Sequence, residues 1–296
     1  MISLWPVIAG RIAKNFAAGV RSVRWAKDLL IPVFECDPFY NLRVCRLHLE
    51  MARRYRPECP RGEVAAEIGP GGDLGNSLLL LSAGARRVYV IERHFLDDHS
   101  APFREFYRGF CATLRNSIEL PDYFNQLQEA QSAICFEADH VEFDRERICC
   151  LAPSDAASTT MPSESVDFLF SHAVLMVVRR PREVIAEIAR IIRRGGLTSH
   201  IIDLADPNDR ASLSMLQFHP RVWDLMWSNS WGYRNRWRAA DFEAEFQRAG
   251  FRVLDSIPCA SIGAAQLPKR IHSTFQRYSR EQLAISCQYL LAIKEQ

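Results

Sequence analysis

Residues 67–75 read Glu67-Ile68-Gly69-Pro70-Gly71-Gly72-Asp73-Leu74-Gly75 and lie between an apolar run and a helical pattern. The apolar run predicts a strand over Glu63–Ile68, and the pattern that follows predicts a helix over Asn76–Ala83. Glycines at such a turn let the backbone approach a ligand closely, and the helix N-terminus presents free N–H groups to it. The sequence therefore predicts a ligand-binding turn at the end of a strand.

Two residues of this segment indicate which ligand the turn suits. The dinucleotide fingerprint has a glycine where Leu74 stands and an apolar residue where Glu67 stands, because a carboxylate would repel a diphosphate. An acidic residue two positions before the first glycine better suits a cationic ligand, such as a sulfonium cofactor with an amino group. A purely structural tight turn is the alternative that the motif alone leaves open.

A second acidic residue follows the next predicted strand. Arg87–Ile91 is apolar and ends in Glu92, about twenty residues after the glycine turn. From this position a carboxylate accepts hydrogen bonds from both hydroxyls of a ribose. Alone, Glu92 would be a solvated strand end. It indicates a ribose-binding site only because of its spacing from the glycine turn.

The pattern after residue 62 predicts an α/β protein with a Rossmann-like, mostly parallel sheet and helices on both faces. Short apolar runs alternate with turns and helical patterns. The stretch 99–133 is too long for one crossover and predicts an inserted helix or helical pair. The remaining predicted strands are Arg147–Ala152, Val166–Ser171, Leu197–Ile202, Phe251–Ile257 and Ser286–Ile293.

The first sixty residues have a different, helical pattern. Residues 4–31 predict one amphipathic helix, and a second is predicted from Pro38 to about Tyr55. Prolines between residues 57 and 60 then break the chain. We therefore predict an N-terminal helical cap over 1–61 and a ligand-binding domain over 62–296.

Charge is unevenly divided along the 296 residues. The chain carries 37 basic and 35 acidic residues, but residues 1–27 hold five basic residues and no acidic one, which leaves −3 on the rest. A globular composition excludes a disordered or collagenous chain, and the acidic body disfavours nucleic-acid binding. The basic helix is either a solvated surface over the site or a weak contact for an anionic membrane or a partner.

Apolar runs and the cysteine pattern bear on the cellular location of the protein. No run approaches the 18 apolar residues of a membrane span, and the nine cysteines include no C-x-x-C pair typical of zinc. We expect a cytoplasmic protein, peripheral to a membrane if the basic helix binds lipid. The sequence does not indicate an oligomeric state.

Further motifs occur in a familiar order. Ser154-Asp155-Ala156, the strand and turn at residues 166–175, and Arg194-Gly195-Gly196 before the next strand follow the turn and Glu92. With these, the chain from Glu63 to about Lys294 resembles the class I S-adenosylmethionine-dependent methyltransferases, in particular the type 11 group acting on small molecules. The resemblance implies a seven-stranded sheet whose last strand is antiparallel, S-adenosyl-L-methionine as cofactor, and an acceptor lid at about 205–240.

The resemblance also implies roles for single residues in cofactor binding. Asp139 competes with Asp155 for contact with the adenine amino group, and Asp155 is preferred because it lies nearer to the fourth strand. The glycines would lie against the methionine portion, with Glu67 at its amino end. The full set is Glu67, Gly69, Gly71, Glu92 at the ribose, Asp155 and Ala156 at the adenine, and Ser171 beside the cofactor.

Methyl transfer needs a base only when the acceptor is a hydroxyl or a protonated amine. His172 and His200 are the candidates, each predicted at a strand end, with Asp203 three residues after His200; a structural role is the alternative for each. A metal at His94 and residues 97–99 is a weaker reading, since such polar turns are usually solvated. We therefore expect no metal.

Four of the six tryptophans fall within residues 223–237 and predict either a buried helical stripe or part of an acceptor wall. A wall of aromatic and arginine side chains would suit a flat, sugar-like or anionic small molecule. The residues concerned are Trp227, Trp231, Tyr233, Asn235 and Arg236. Residues 171–174 lack the Asn/Asp-Pro-Pro-aromatic run of nucleobase methyltransferases, which also favours a small-molecule acceptor.

The sequence thus predicts a methyltransferase that acts on a hydroxyl of a small metabolite, such as a sugar or secondary metabolite, with an amine as the second choice. Two alternatives stay open. One is a nucleotide-dependent oxidoreductase on the same sheet, and the other is a non-catalytic, methyltransferase-like subunit docked on a partner or membrane.

Overall fold

The structure is a computed structural model that describes residues 5–19, 36–94, 101–137, 140–207, 209–229 and 233–295. Nine strands and nine α-helices lie within these ranges. The strands are β1 Val64–Ile68, β2 Arg87–Ile91, β3 Ile134–Phe136, β4 Val141–Phe143, β5 Ile148–Leu151, β6 Val166–His172, β7 Ile192–Asp203, β8 Phe251–Ser261 and β9 Ile285–Lys294. The helices are α1 Trp5–Gly19, α2 Pro38–Arg53, α3 Gly75–Ser82, α4 Ala101–Ser117, α5 Leu127–Gln131, α6 Pro181–Ile191, α7 Pro220–Trp227, α8 Ala239–Arg248 and α9 Arg280–Ala284.

Seven strands form one sheet in the order β5-β2-β1-β6-β7-β9-β8. All neighbours are parallel except β9, which runs antiparallel to both β7 and β8. This arrangement confirms the predicted α/β class, the seven strands and the antiparallel last strand. Because β1 lies beside β6 and β2, the carboxyl ends of these three strands meet at one edge of the sheet.

The two faces of the sheet bury separate apolar clusters, as alternation along the strands requires. Ala65, Phe168 and Phe170 face a cluster that includes α2, α3 and α4. The intervening positions, such as Ala66 and Leu169, face α6 and α8. Each face is thus covered by helices, which is why the central strands are buried on both sides.

Helix α2 belongs to the core of the sheet domain. Asp37 caps its first turn by accepting a hydrogen bond from the backbone N–H of Phe39. Its buried face includes Leu42, Cys45 and Leu49, which share one cluster with the sheet and α3. The predicted boundary after residue 61 therefore does not separate two cores.

Helix α1 packs instead on α7. Asn15 donates to the carbonyl of Leu225 and accepts from the backbone N–H of Asn229, while Arg11 lies over the Trp227 ring at 4.7 Å. The predicted helix over 4–31 is observed as residues 5–19, and residues 20–35 lie outside the described part of the chain. No helix in the described ranges combines the length and apolar character that a membrane span requires.

Three local features differ from the sequence prediction. The inserted segment contains α4 and α5 but is followed by the unpredicted hairpin β3–β4. Arg194-Gly195-Gly196 is the irregular start of β7 rather than a separate turn, since the strand begins at Ile192 and its register with β6 shifts there. Edge strand β8 is longer than predicted and contains three register irregularities, two of them next to Ala260 and Pro258.

Candidate functional site

The glycine turn between β1 and α3 has the backbone that its sequence demands. Gly69 and Gly71 adopt φ values of +73° and +84°, a region that residues with a Cβ rarely enter. A Cβ on Gly69 would lie 2.5 Å from Cγ2 of Val174, whereas one on Gly71 would meet nothing within 4 Å. Gly69 thus permits close contact with the segment after β6, and Gly71 leaves open space.

The turn is braced by two residues that the sequence did not single out. Asp73 accepts hydrogen bonds from the Asn41 side chain and, at 2.7 Å, from the backbone N–H of Gly75. Leu74 donates its N–H to the Tyr107 hydroxyl at 2.6 Å. Burial raises the pKa of Asp73 to about 6. Asn41 on α2 and Tyr107 on α4 therefore hold the turn from the face of the sheet that α2, α3 and α4 cover.

Glu67, on β1, is 1% exposed. Its Oε1 accepts a hydrogen bond from Asn76 Nδ2 at 2.7 Å, while its Oε2 and the Asn76 Oδ1 have no partner among the described residues. Burial raises the pKa of Glu67 to about 8. Two buried acceptor oxygens without donors fit a ligand that brings hydrogen-bond donors or positive charge, as an amino group does.

We predict that binding of S-adenosylhomocysteine releases a proton. With a pKa of about 8, Glu67 is mostly protonated at pH 7, and a cationic ammonium would lower its pKa. Affinity should therefore rise between pH 6 and pH 8 and level off above. Calorimetry in two buffers of different ionisation enthalpy would measure the released proton.

The Glu67→Gln variant is the control for this prediction, because it keeps the acceptor for Asn76 without a titrating group. The pH dependence should largely disappear in this variant. If both proteins show the same dependence, the proton comes from elsewhere and Glu67 does not face the ammonium.

Glu92 and Asp155 lie close together because β2 and β5 are neighbours. Ser154 donates its backbone N–H to the Glu92 carbonyl at 2.7 Å. Glu92 accepts from the backbone N–H of His94 at 2.9 Å, while Asp155 accepts from that of Ala157 at 2.9 Å and pairs with Arg180 at 2.8 Å. The two carboxylates therefore mark one end of the strand edge, with half-buried Ala156 beside Asp155. The competing Asp139 lies outside the described residues.

His172 is the last residue of β6, two residues before Val174 and its contact with Gly69. Its Nδ1 lies 3.3 Å from Nε2 of His48, and its ring is 6.2 Å from that of Tyr40, edge to face. Burial, followed by the charge of Arg43, lowers the pKa of His172 to about 4. His172 is therefore neutral at pH 7. Tyr40 and His48 were missed because α2 was interpreted as a cap; the polar His48 beside an apolar stripe was the available signal.

Ser171 is one residue from the end of β6 and pairs with His200 of β7, and the side chains of both are fully buried. His200 is fully buried, with Nδ1 at 2.7 Å from Ser171 Oγ, Nε2 at 2.6 Å from Thr198 Oγ1 and its ring 5.0 Å from that of Phe246. Burial lowers its pKa to about 3. His200 lies three residues before the end of β7, against two in the predicted strand, and it is buried because its side chain packs between Ser171, Thr198 and Phe246.

Asp203 does lie at the end of β7, where it pairs with arginines. Its Oδ2 is 2.9 Å from Arg210 and 3.8 Å from Arg234. Arg210 and Arg234 therefore occupy the carboxylate oxygen of Asp203 at the end of β7.

The predicted acceptor wall is mostly an internal framework. Trp227 is buried against Trp223 with ring centroids 5.5 Å apart, and buried Arg236 donates to the carbonyls of Met215 and Phe218. Trp227 thus lies in the buried helical stripe that was the alternative interpretation, and Arg236 is buried in the segment after this helix. Trp231 lies outside the described residues, as do residues 97–99 of the clustered polar turn.

Asn235 ties this segment to the strand edge. Its side chain donates to the carbonyls of Leu175 at 2.7 Å and Val178 at 3.1 Å, and its N–H to that of Met176 at 2.9 Å. Tyr233 is half-buried, with Arg179 4.8 Å above its ring. The segment that begins at Tyr233 is therefore anchored beside the residues that follow β6.

Comparison with known proteins gives one family match. Residues 125–199 match the family model described as a methyltransferase domain. No curated protein matches the chain.

Solved structures with a similar arrangement have low identity. A putative methyltransferase in complex with the Trm112 methyltransferase activator of Haloferax volcanii shares 15% identity over 87% of this chain and 94% of its own, with a TM-score of 0.44. A putative S-adenosylmethionine-dependent methyltransferase from Listeria monocytogenes shares 9% identity over 82% of this chain and 97% of its own, with a TM-score of 0.45. A putative sarcosine dimethylglycine methyltransferase from Galdieria sulphuraria shares 12% over 86% of both chains, with 0.47.

The family match spans β5 and β6 and ends inside β7, so it covers the part of the chain that follows the glycine turn and Glu92. Residues 125–199 are therefore similar to a methyltransferase domain.

Proposed function

We propose that this methyltransferase transfers a methyl group to a hydroxyl of a small metabolite, such as a sugar or a secondary metabolite, with an amine as the second choice. The observation that carries the proposal is the position of His172 and Tyr40, two polar side chains beside the strand end that contacts the glycine turn. A screen of metabolites for release of S-adenosylhomocysteine tests it. Turnover confined to nucleic acid or protein acceptors would contradict it.

We propose that the cofactor is held along the edge formed by β1, β2 and β5. Glu67 would meet its amino group, Gly69 and Gly71 its methionine portion, Glu92 its ribose, and Asp155 with Ala156 its adenine. Ser171 would act indirectly, since its hydroxyl is bonded to His200 inside the sheet. The bound cofactor supplies an activated methyl group on a sulfonium, a good leaving group for in-line displacement.

The protein's part in such a displacement is alignment and the exclusion of water. Asn41 and Tyr107 fix the glycine turn, while Asn235 holds the segment after β6 in place. We propose His172 as the residue nearest the acceptor group. Asp203 is the second proposed contributor, while His200 would support Ser171 from within the core.

The acceptor side is proposed to include Tyr233 and Asn235, with Trp231 completing the wall. Support comes from the hydrogen bonds that anchor Asn235 beside the end of β6. Trp227 and Arg236 would support this wall from behind, since both are buried.

Nucleotide-dependent oxidoreduction has less support. The buried carboxyl of Glu67 beside the turn suits a cation and would oppose a diphosphate. Thermal shift with S-adenosylhomocysteine and nicotinamide nucleotides separates the two activities. Stabilisation by a nicotinamide nucleotide alone would end the methyltransferase proposal.

We also propose that residues 1–27 contact an anionic membrane or a partner weakly, and that the protein resides in the cytoplasm. Lys14 on α1 is exposed, Phe16 is 65% exposed and Leu225 on the adjoining α7 is 46% exposed. Exposed basic and apolar side chains on one helix are typical of interfacial binding.

The triple variant Lys14→Gln, Arg21→Gln, Arg24→Gln is expected to bind phosphatidylserine vesicles about 100-fold more weakly, because each lysine or arginine near the surface contributes about 1 kcal/mol, roughly a fivefold factor. Co-sedimentation measures the effect. Phosphatidylcholine vesicles and the variant Lys269→Gln, Arg270→Gln are the controls. Equal binding by all three proteins would rule out the lipid contact and leave a partner as the occupant.

A further inference from the structure

A chain of four buried or half-buried polar side chains runs inward from the end of β6, between α2 and the sheet. His172 Nδ1 lies 3.3 Å from His48 Nε2, and His48 Nδ1 lies 2.7 Å from Ser199 Oγ. Ser199 Oγ lies 2.9 Å from the Tyr289 hydroxyl. His48 and Ser199 are fully buried, and Tyr289 nearly so. Because each member touches the next, the proton positions along the chain are linked.

The two hydroxyl groups at the inner end decide which atom donates in each of these hydrogen bonds. A phenol is a better donor than an alkyl hydroxyl, so Tyr289 donates to Ser199 Oγ. Because Ser199 Oγ accepts from Tyr289, its own hydroxyl proton is left to donate to His48 Nδ1, which lies 2.7 Å away. Ser199 therefore donates to His48 Nδ1, which must be unprotonated.

The outer end follows from the inner one. Burial, with smaller contributions from His172 and His200, lowers the pKa of His48 well below its usual value, so the ring is neutral. A neutral ring without a proton on Nδ1 carries it on Nε2, from which it donates to Nδ1 of His172. His172 is neutral too, and its own proton then lies on Nε2.

The charges around His172 complement such a donor. Arg43, on α2, is exposed and near enough to depress the pKa of His172, and its guanidinium lies 5.2 Å from the Tyr40 ring. Asp73, which is mostly ionised at pH 7, acts on Tyr40 from the side of the glycine turn, where Glu67 is mostly protonated. The positive charge beside His172 therefore comes from α2, at Arg43.

We propose that His172 donates a hydrogen bond from Nε2 to a negatively charged oxygen of the methyl acceptor, and that Arg43 pairs with that same oxygen. The acceptor is therefore a small molecule with a carboxylate near the methylated atom. This inference rests on the proposed function and refines it, because a histidine that presents N–H is a binding residue and not the base. His48 is a positioning residue that sets the tautomer of His172.

The tautomer can be measured without knowing the acceptor. Long-range ¹H–¹⁵N spectra of the full chain with ¹⁵N-labelled histidine, at pH 7, report which nitrogen carries the proton. The His172 signals are identified by their loss in His172→Gln. Protonation on Nε2 is the expected result. Protonation on Nδ1 would overturn the proposal, because Nε2 would then offer a lone pair to the site.

Binding of a probe tests the substrate class. Benzoate is titrated into the complex with S-adenosylhomocysteine, with benzyl alcohol as the neutral probe of similar shape. Benzoate should shift the His172 nitrogen signals and bind about tenfold more weakly to His172→Leu and Arg43→Met, the loss typical of a charge-assisted hydrogen bond. His172→Gln, which keeps an N–H donor, should retain most of the affinity.

Equal binding of both probes, or equal loss in His172→Gln and His172→Leu, would overturn the inference. Calorimetry with S-adenosylhomocysteine alone tests the proposed function separately. If that ligand fails to bind, the proposed function fails. If S-adenosylhomocysteine binds but His172 is protonated on Nδ1, or benzoate is not preferred over benzyl alcohol, this inference alone fails.

Discussion

Gly69→Ala is expected to destabilise the protein by about 2–5 kcal/mol and to weaken binding of S-adenosylhomocysteine. A residue with a Cβ at φ +73° costs roughly 1–2 kcal/mol, and overpacking against a neighbour adds roughly 1–3 kcal/mol. The overpacked contact is with Val174, whose Cγ2 lies 2.5 Å from the new Cβ. Denaturant unfolding and calorimetry measure the two effects.

Gly195→Ala is a closely matched control. Gly195 has the same φ of +73°, but a Cβ there would meet nothing within 4 Å. Its variant should show the conformational cost alone and leave ligand affinity unchanged. Adding Val174→Ala to Gly69→Ala should recover part of the stability; if the two glycine variants lose the same free energy, the Val174 contact does not constrain the turn.

Glu92→Ala should weaken binding of S-adenosylhomocysteine by about 100-fold or more. A hydrogen bond to a charged group contributes roughly 1.5–3 kcal/mol, and the ribose would donate two. Glu92→Gln should lose less, about tenfold, because the amide oxygen still accepts from one hydroxyl. Calorimetry of the three proteins measures the series.

The exposed Glu105→Gln on α4 serves as the control for a lost carboxylate away from the strand edge. Its affinity should equal that of the unaltered protein. The Gln variant at residue 92 also keeps an acceptor for the backbone N–H of His94, so its fold should be intact. Unchanged affinity in Glu92→Ala would place the ribose elsewhere and contradict the assignment of this edge.

The sheet could be predicted because its signals are local. Each parallel strand is a short apolar run ended by a turn, so the strand at Arg87–Ile91 was predicted with its observed bounds. The turn at Gly69 was recognisable for the same reason, since its conformation depends on glycine at specific positions.

The contacts that complete the site are not local and could not be predicted. Asn41 reaches Asp73, 32 positions later, and His48 reaches His172, 124 positions later. Periodicity shows that α2 has a buried face but not which strand that face covers. The burial of His200 could not be predicted either, because it depends on contacts with Ser171 and Phe246, which are distant in the sequence.

The irregular edge strand β8 bears on how the protein behaves at high concentration. An exposed strand offers unpaired backbone groups on which another chain can add a strand. In β8, Pro258 has no backbone N–H to donate. The register with β9 also shifts between Pro258 and Ala260 and again between Ala260 and Ser261. Both interrupt the regular row that a continuing sheet would need, so this edge resists intermolecular strand addition although its side chains are largely exposed.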